Sequence, residues 1–387
     1  MVLSSVLLLF AGCSRFHPRQ HEYVYVAARE VYLRDRVAAV SNRVALVKNG
    51  QKLEVVEHGR RFDKVRTADG KVGWLQEHTV IDQQNYDRYQ QLATEHAQDP
   101  AVASAQLRDD LYLHILPGRQ TDHFYLLAGN SHVQLLQRAS VPHVVPGALP
   151  AAKNDAPPPM EDWWLVRDSA GDTGWLLGSR VDVDIPDAIG EYAEGQRMVA
   201  AYPLATVMDD GRTPREQRRS AGKNSRHAGR QATVSADADA QPTAPAIPKP
   251  ETEYLVLLAP PQSGLPYDFD QIRVFTWSLN HHRYETAYRL RGFQGFLPVT
   301  MTHEVADGQS YPAFHFRIAG AAGAVIDPAT GIAHPQSTRT VSFRLEGNIL
   351  RRTGADQDPI ETRKSGAPAD QSTAHTARKH AHEHARR

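Results

Sequence analysis

A ten-residue phrase occurs twice in the chain, and it restricts the fold more than any other feature. Arg66 to Leu75 reads Arg-Thr-Ala-Asp-Gly-Lys-Val-Gly-Trp-Leu, and Arg167 to Leu176 reads Arg-Asp-Ser-Ala-Gly-Asp-Thr-Gly-Trp-Leu. Each copy reads as a strand end, a tight turn and a strand opening with Gly-Trp. Asp69-Gly70 suits a hairpin that needs a positive φ. A glycine before each tryptophan marks a bulge or a close backbone approach. Self-similarity of this kind signals a repeated structural unit.

Both copies extend backwards in the same order. Val31-Tyr32-Leu33-Arg34 alternates as a strand and is matched by Leu111-Tyr112-Leu113. Val44 to Val47 is matched by Phe124 to Leu127, Leu53 to Val56 by Val133 to Leu136, and Phe62 to Arg66 by Trp163 to Arg167. Lys48-Asn49-Gly50-Gln51 is a hairpin signal, and Val80-Ile81 closes the first unit. The Pro-rich residues 141–161 interrupt the second copy as an exposed loop. Five short strands without a helix in about 55–60 residues are the size of a small closed β-barrel.

On these residues the chain resembles the bacterial SH3 (SH3b) family. The resemblance rests on Leu46 to Gly50, on the aromatic-x-x-Val spacings at 62–65 and 163–166, and on Gly73-Trp74 and Gly174-Trp175. It covers about 22–82 and 104–185. It departs from the family at Phe62, where the family favours Trp, and at the insert of the second copy. The resemblance implies barrels that hold short wall peptides, with Tyr32 and Tyr112 in or near a groove. In so small a barrel Trp74 and Trp175 are expected in the core. Of two adjacent strand residues one points in and one out. Register with Phe62 puts Trp163 inside and leaves Trp164 as the exposed ligand anchor.

The first residues, 1–13, form a short apolar stretch ending Leu9-Phe10-Ala11-Gly12-Cys13, with the length of a signal-peptide apolar region. The ending resembles a bacterial lipobox, which implies a lipid on Cys13 and a polar tether over 14–22. Ser14 after the cysteine resembles outer-membrane lipoproteins of two-membrane bacteria. Cys13 is the chain's single cysteine, so no disulfide forms within it. A papain-like Cys/His endopeptidase, common beside bacterial SH3 domains, and cysteine-based zinc sites are excluded on the same ground.

The 387 residues allow two or three domains. Lys plus Arg and Asp plus Glu both number 44, which argues against a general nucleic-acid binder. The domains read as a barrel over 23–82, a linker helix over 83–100, a second barrel over 104–185, and a connecting helix and strand over 187–210. A disordered linker over 211–251, a β-rich domain over 252–352 and a disordered, His-containing tail over 353–387 follow. The linker helix carries Tyr86, Tyr89 and Leu92 at helical spacing and is expected to dock on one barrel. In the connecting segment a helix to about Ala201 and a strand after Pro203 are expected. That strand is expected to join the β-rich domain, a sandwich or small open barrel.

No catalytic fingerprint is present: no Gly-x-Ser-x-Gly, P-loop, His-Glu-x-x-His or dinucleotide motif. His303-Glu304 lacks the rest of a ligand set. His375, His380, His382 and His384 read as a solvated tail rather than a metal site, so no metal and no cofactor are expected. The expected fold is mainly β, with two SH3-like barrels and a β-rich C-terminal domain. The expected protein is a non-catalytic envelope lipoprotein, held to a membrane by its lipid, whose barrels bind peptidoglycan peptide or another envelope ligand. The alternatives are a scaffold contacting envelope proteins through the C-terminal domain and a hydrolase within 254–350.

Overall fold

A computed structural model describes residues 21–144, 158–212 and 248–360. Cys13, the centre of the insert, most of the 211–251 linker and the histidines of the tail lie outside the described residues. The chain is mainly β and separates into two compact units, Met1–Gln90 with Phe124–Leu126 and Gln91–His123 with Leu127–Arg387.

The first unit holds seven strands: β1 (Tyr23–Val26), β2 (Glu30–Arg34), β3 (Arg43–Lys48), β4 (Lys52–His58), β5 (Phe62–Arg66), β6 (Val72–Gln76) and β7 (Val80–Asp82). They pair in the order β3-β2-β6-β5-β4-β1-β7. One core receives Val24 and Val26 from β1, Leu33 from β2, Val47 from β3, Leu53 from β4, Val65 from β5 and Leu75 from β6, with Val80 of β7 against it. Because both ends of the sheet feed the same core, the sheet curls into a small barrel. β1 was not expected from the sequence. Its Tyr-Val-Tyr-Val is buried on three of four positions, so it carries little alternation. Helix α1 (Gln83–Glu95) follows, and its Tyr86 stacks on Tyr25 with ring centroids 3.7 Å apart.

The Gly-Trp step has a packing cause. A Cβ on Gly73 would stand 2.8 Å from Leu33 Cβ and 3.0 Å from Arg34 O, and a Cβ on Gly174 would stand 2.7 Å from Leu113 Cβ and 3.0 Å from His114 O. In both repeats the strand crosses its neighbour too closely for a side chain. Gly70 and Gly171 close the preceding turns at φ +83° and +92°.

The second sheet has the same strand order. It contains β8 (Ala103–Leu107), β9 (Leu111–His114), β10 (His123–Leu127), β11 (His132–Pro142), β12 (Met160–Arg167), β13 (Thr173–Leu177) and β14 (Val181–Val183), ordered β10-β9-β13-β12-β11-β8-β14. β11 and β12 pair as far as Pro142 and Met160, so the insert is narrower than 141–161.

After helix α2 (Asp187–Gly190) comes a third seven-stranded sheet. Its strands are β15 (Arg197–Asp209), β16 (Lys249–Ala259), β17 (Phe269–Ser278), β18 (Arg283–Ala306), β19 (Gln309–Ala319), β22 (Thr338–Glu346) and β23 (Ile349–Thr353), with the short hairpin β20 (Ala324–Ile326) and β21 (Ala333–Pro335) between the fifth and sixth. All neighbours in it are antiparallel, and each strand pairs with the next of the seven in chain order, so it is one continuous meander with the β20–β21 hairpin inserted between β19 and β22. β15 pairs with β16 from Arg197↔Ala259 to Asp209↔Lys249, and it runs through Pro203 with an irregularity beside it. The helix expected as far as Ala201 is therefore strand from Arg197 onward. Tyr192 and Ile189 lie against Phe275, Val256 and Leu258 on one face. On the sheet Phe269, Phe293, Phe314, Phe316 and Phe343 form a run of ring contacts 5.4–6.4 Å between centroids.

Candidate functional site

Trp74 and Trp164 depart from the sequence expectation. Cross-strand partners share a face. Val65 pairs with Gly73 and Asp63 with Leu75, whereas Lys64 pairs with Trp74. Val65 and Leu75 are in the barrel core, so Trp74 points away from it. It is half-buried, with the Lys64 ammonium 5.7 Å from its ring centre. The second repeat has the same geometry. Trp164 pairs with Leu176 and Val166 with Gly174, while Trp163 pairs with Leu177 and Leu165 with Trp175.

Trp164 therefore shares a face with Val166, the counterpart of core Val65, and is 5% exposed. It is not the expected surface anchor. Trp163 and Trp175 are on the outer face and are nevertheless 2% and 6% exposed. They pack with Leu136, Ala139 and Leu165 under Leu92 and Ile332. A bridge between Ala139 and Ile332 holds that cover.

Tyr112 is half-buried, 4.8 Å from the His123 ring. His114 stands edge-on to Trp163 at 5.1 Å, and burial, followed by the neighbouring His123, pushes its pKa down to about 4. Tyr32, in the first unit, is half-buried beneath the Arg43 guanidinium at 4.3 Å. Tyr112 and Trp164 do not line one groove.

Trp164 instead forms part of the wall of a cleft of about 610 Å³ in the second unit. β12 supplies Met160, Glu161, Asp162 and Trp164, the end of β13 and the turn after it supply Leu177 and Ser179, β15 supplies Arg197 and Val199, and the loop after β16 supplies Pro261 and Ser263. Beneath the cleft lies a buried ionic centre. Arg138 Nη1 donates to Asp162 Oδ1 at 3.1 Å and to Ser140 Oγ at 2.7 Å, and Nη2 donates to Leu265 O at 2.8 Å and Tyr267 O at 2.6 Å. Its Nε donates to Asp268 Oδ1 at 3.2 Å. Asp162 also accepts from Ser140 Oγ at 2.5 Å, Gly264 N at 3.0 Å and Arg197 Nη1 at 3.1 Å. Burial on its own would raise the pKa of Asp162, but the Arg138 charge, these hydrogen bonds and Arg197 outweigh it and hold the carboxyl below its ordinary value. At the rim, Arg119 and His143 fix Glu161, and Arg108 grips Asp182.

Arg138, Asp162 and Arg197 belong to no sequence motif. Their one signal is a charge inside an apolar strand, as at Arg138 between Leu136 and Val141.

Elsewhere, Ser278, His281 and Glu285 converge in the manner of a hydrolytic triad. Ser278 Oγ at 3.4 Å and Glu285 Oε1 at 2.6 Å both face His281 Nδ1. One nitrogen cannot accept from the serine while donating to the carboxylate, so there is no relay. Glu304 accepts from Thr353 Oγ1 at 3.0 Å and sits 3.6 Å from Arg344. Among the described residues, no group of three or more His, Cys, Asp or Glu is placed to hold a metal ion.

No protein-family model matches the sequence, and neither does any curated protein. Among solved structures, the chain is similar to an NlpC/P60 family protein from Bacillus cereus ATCC 10987, with 12% identity over 45% of this chain and 62% of that one and a TM-score of 0.21. The chain thus spans less than two thirds of that protein. It is also similar to NlpC2 from Trichomonas vaginalis, with 10% identity over 69% of this chain and 91% of that one and a TM-score of 0.15. NlpC1 from Trichomonas vaginalis gives 11% identity, 69% and 87% coverage, and a TM-score of 0.15. Similarity at this level assigns neither a fold nor an activity.

Proposed function

We propose that this chain is a non-catalytic binding protein of the cell envelope, tethered by a lipid on Cys13, that holds short wall peptides beside its second barrel. The repeated resemblance to bacterial SH3 domains supports the envelope setting. The observation that carries the binding reading is the cleft of about 610 Å³, with Trp164, Met160 and Val199 as an apolar wall and Arg197, Ser179 and Ser263 as polar groups. Its size falls within the roughly 300–1,000 Å³ of small-ligand sites, and its lining is more polar than theirs, with Arg108, Glu161, Asp162, Asp182 and Arg197 among it.

The test is retention of the full-length protein on purified peptidoglycan sacculi at low and high salt, beside a Ser179→Trp variant. Ser179 is exposed, so the new ring occludes the cleft from its rim without entering the core. Retention that survives salt and is lost in the variant is the expected result. Absence of retention, or retention that salt abolishes, overturns the reading, because exposed charge pairs alone are screened.

A further inference from the structure

Two arginines reach Asp162, and they are built differently. Arg138 has a side chain only 1% exposed, and each of its guanidinium nitrogens has an acceptor. Arg197 has a side chain 31% exposed. Its Nη1 donates to Asp162 Oδ2, while Nε and Nη2 are shielded and meet no acceptor among the described residues. A buried donor without an acceptor is unfavourable, and for a charged group the cost is larger.

The two idle nitrogens form one edge of the guanidinium, the edge that fits both oxygens of a carboxylate. This protein uses that edge repeatedly. Arg119 places Nε at 3.0 Å and Nη2 at 2.7 Å from Glu161, Arg108 does so at 2.8 and 2.5 Å from Asp182, and Arg339 at 2.9 and 2.7 Å from Asp356.

Asp162 has donors besides Arg197. Arg138, Ser140 and the Gly264 amide all serve Oδ1 while Arg197 serves Oδ2, so the carboxylate keeps three of its four donors if Arg197 turns away. Arg197 lines the cleft and is partly exposed, so a rotation about its terminal bonds would be needed to turn the idle edge to a ligand there.

We propose that Arg197 is a carboxylate anchor and that the cleft takes short peptides with a free C-terminal carboxylate. The carboxylate lies on Nε and Nη2, and the peptide body lies along Met160 and Leu177. This rests on the cleft being the peptide site.

The test is calorimetric titration of the full-length protein with N-acetyl-dialanine and with its C-terminal carboxamide, repeated on Arg197→Lys and Arg197→Gln. The expected result is that the acid binds at least about tenfold more tightly than the amide, and that both variants lose this preference. Arg197→Lys keeps the charge and loses the two-pronged edge, so it separates geometry from simple attraction. Equal affinity of acid and amide for the unaltered protein overturns the anchor but leaves the peptide cleft standing. Binding of neither at millimolar concentration overturns the anchor together with the peptide reading. The acid–amide comparison needs no variant, so it decides the matter even if a substitution impairs folding.

Discussion

Arg138 and Asp162 face each other at 3.1 Å from adjacent strands of the second barrel, with side chains 1% and 3% exposed. Arg138 also gathers the carbonyls of Leu265 and Tyr267 and the carboxylate of Asp268, so one side chain ties β11 to the loop between β16 and β17. Removing one partner of such a pair leaves an uncompensated charge out of water. Arg138→Met is expected to destabilise the protein by about 3–5 kcal/mol, and adding Asp162→Asn to recover part of that loss. Urea denaturation followed by tryptophan fluorescence measures both. A loss under about 1 kcal/mol for the single variant would place the pair in a wetter setting than described.

Equivalent positions of the two repeats carry different weight. Trp74 and Trp175 both point away from their barrel interiors, but only Trp175 is covered. Trp175→Ala is expected to cost about 3–5 kcal/mol, as for a buried aromatic residue, and Trp74→Ala about 1 kcal/mol or less. Equal losses in denaturation experiments would contradict the covered outer face of the second barrel.

Glycine before each tryptophan is expected to be irreplaceable for reasons of space. Its φ lies outside the left-handed region in both repeats, so alanine is conformationally acceptable, yet the new Cβ meets Leu33 or Leu113 within 2.8 Å. Gly73→Ala and Gly174→Ala are each expected to cost about 1–3 kcal/mol, the range of overpacked sites. A melting temperature unchanged in both would mean that the crossing strands part more easily than their packing implies.

These cases show how far the residues speak for themselves. The repeat, its turns at Gly70 and Gly171 and the alternation of β19 are local patterns, and local patterns are legible. Facing was not. Trp163 and Trp164 are neighbours, and either can be read as the inward one until cross-strand pairing settles the parity. Both are buried, Trp164 because it faces the barrel interior and Trp163 because its outer face is covered by Ile332, which comes from far along the chain. The cleft was illegible for the same reason. Asp162 and Arg197 come from separate sheets, and their meeting depends on how β15 joins β16 across the segment between them. Seventeen residues of β18, from Leu290 to Ala306, were also passed over, because the burial along them follows no clean period of two.

Acid and base should act on the second unit with opposite signs through two carboxyls. Glu253 is 6% exposed, and its one described hydrogen bond is from Trp277 N at 3.4 Å. Burial raises its pKa above the ordinary 4.5, only partly opposed by that bond. Between the ordinary value and the raised one, the folded protein keeps a proton that the unfolded chain has released. Stability therefore falls as pH rises through this window and stays lower above it. Asp162 works the other way. Its folded pKa lies below 3.8, so its contribution is present above 3.8 and is lost as pH falls through the depressed value. Glu253→Gln removes the first effect and leaves the second. The variant should match the parent near pH 4, exceed it near pH 7 by on the order of 1 kcal/mol, and unfold in stronger acid as the parent does. Urea midpoints at those pH values provide the check. A variant no more stable than the parent at pH 7 would mean that Glu253 ionises there without penalty, its carboxylate reached by water.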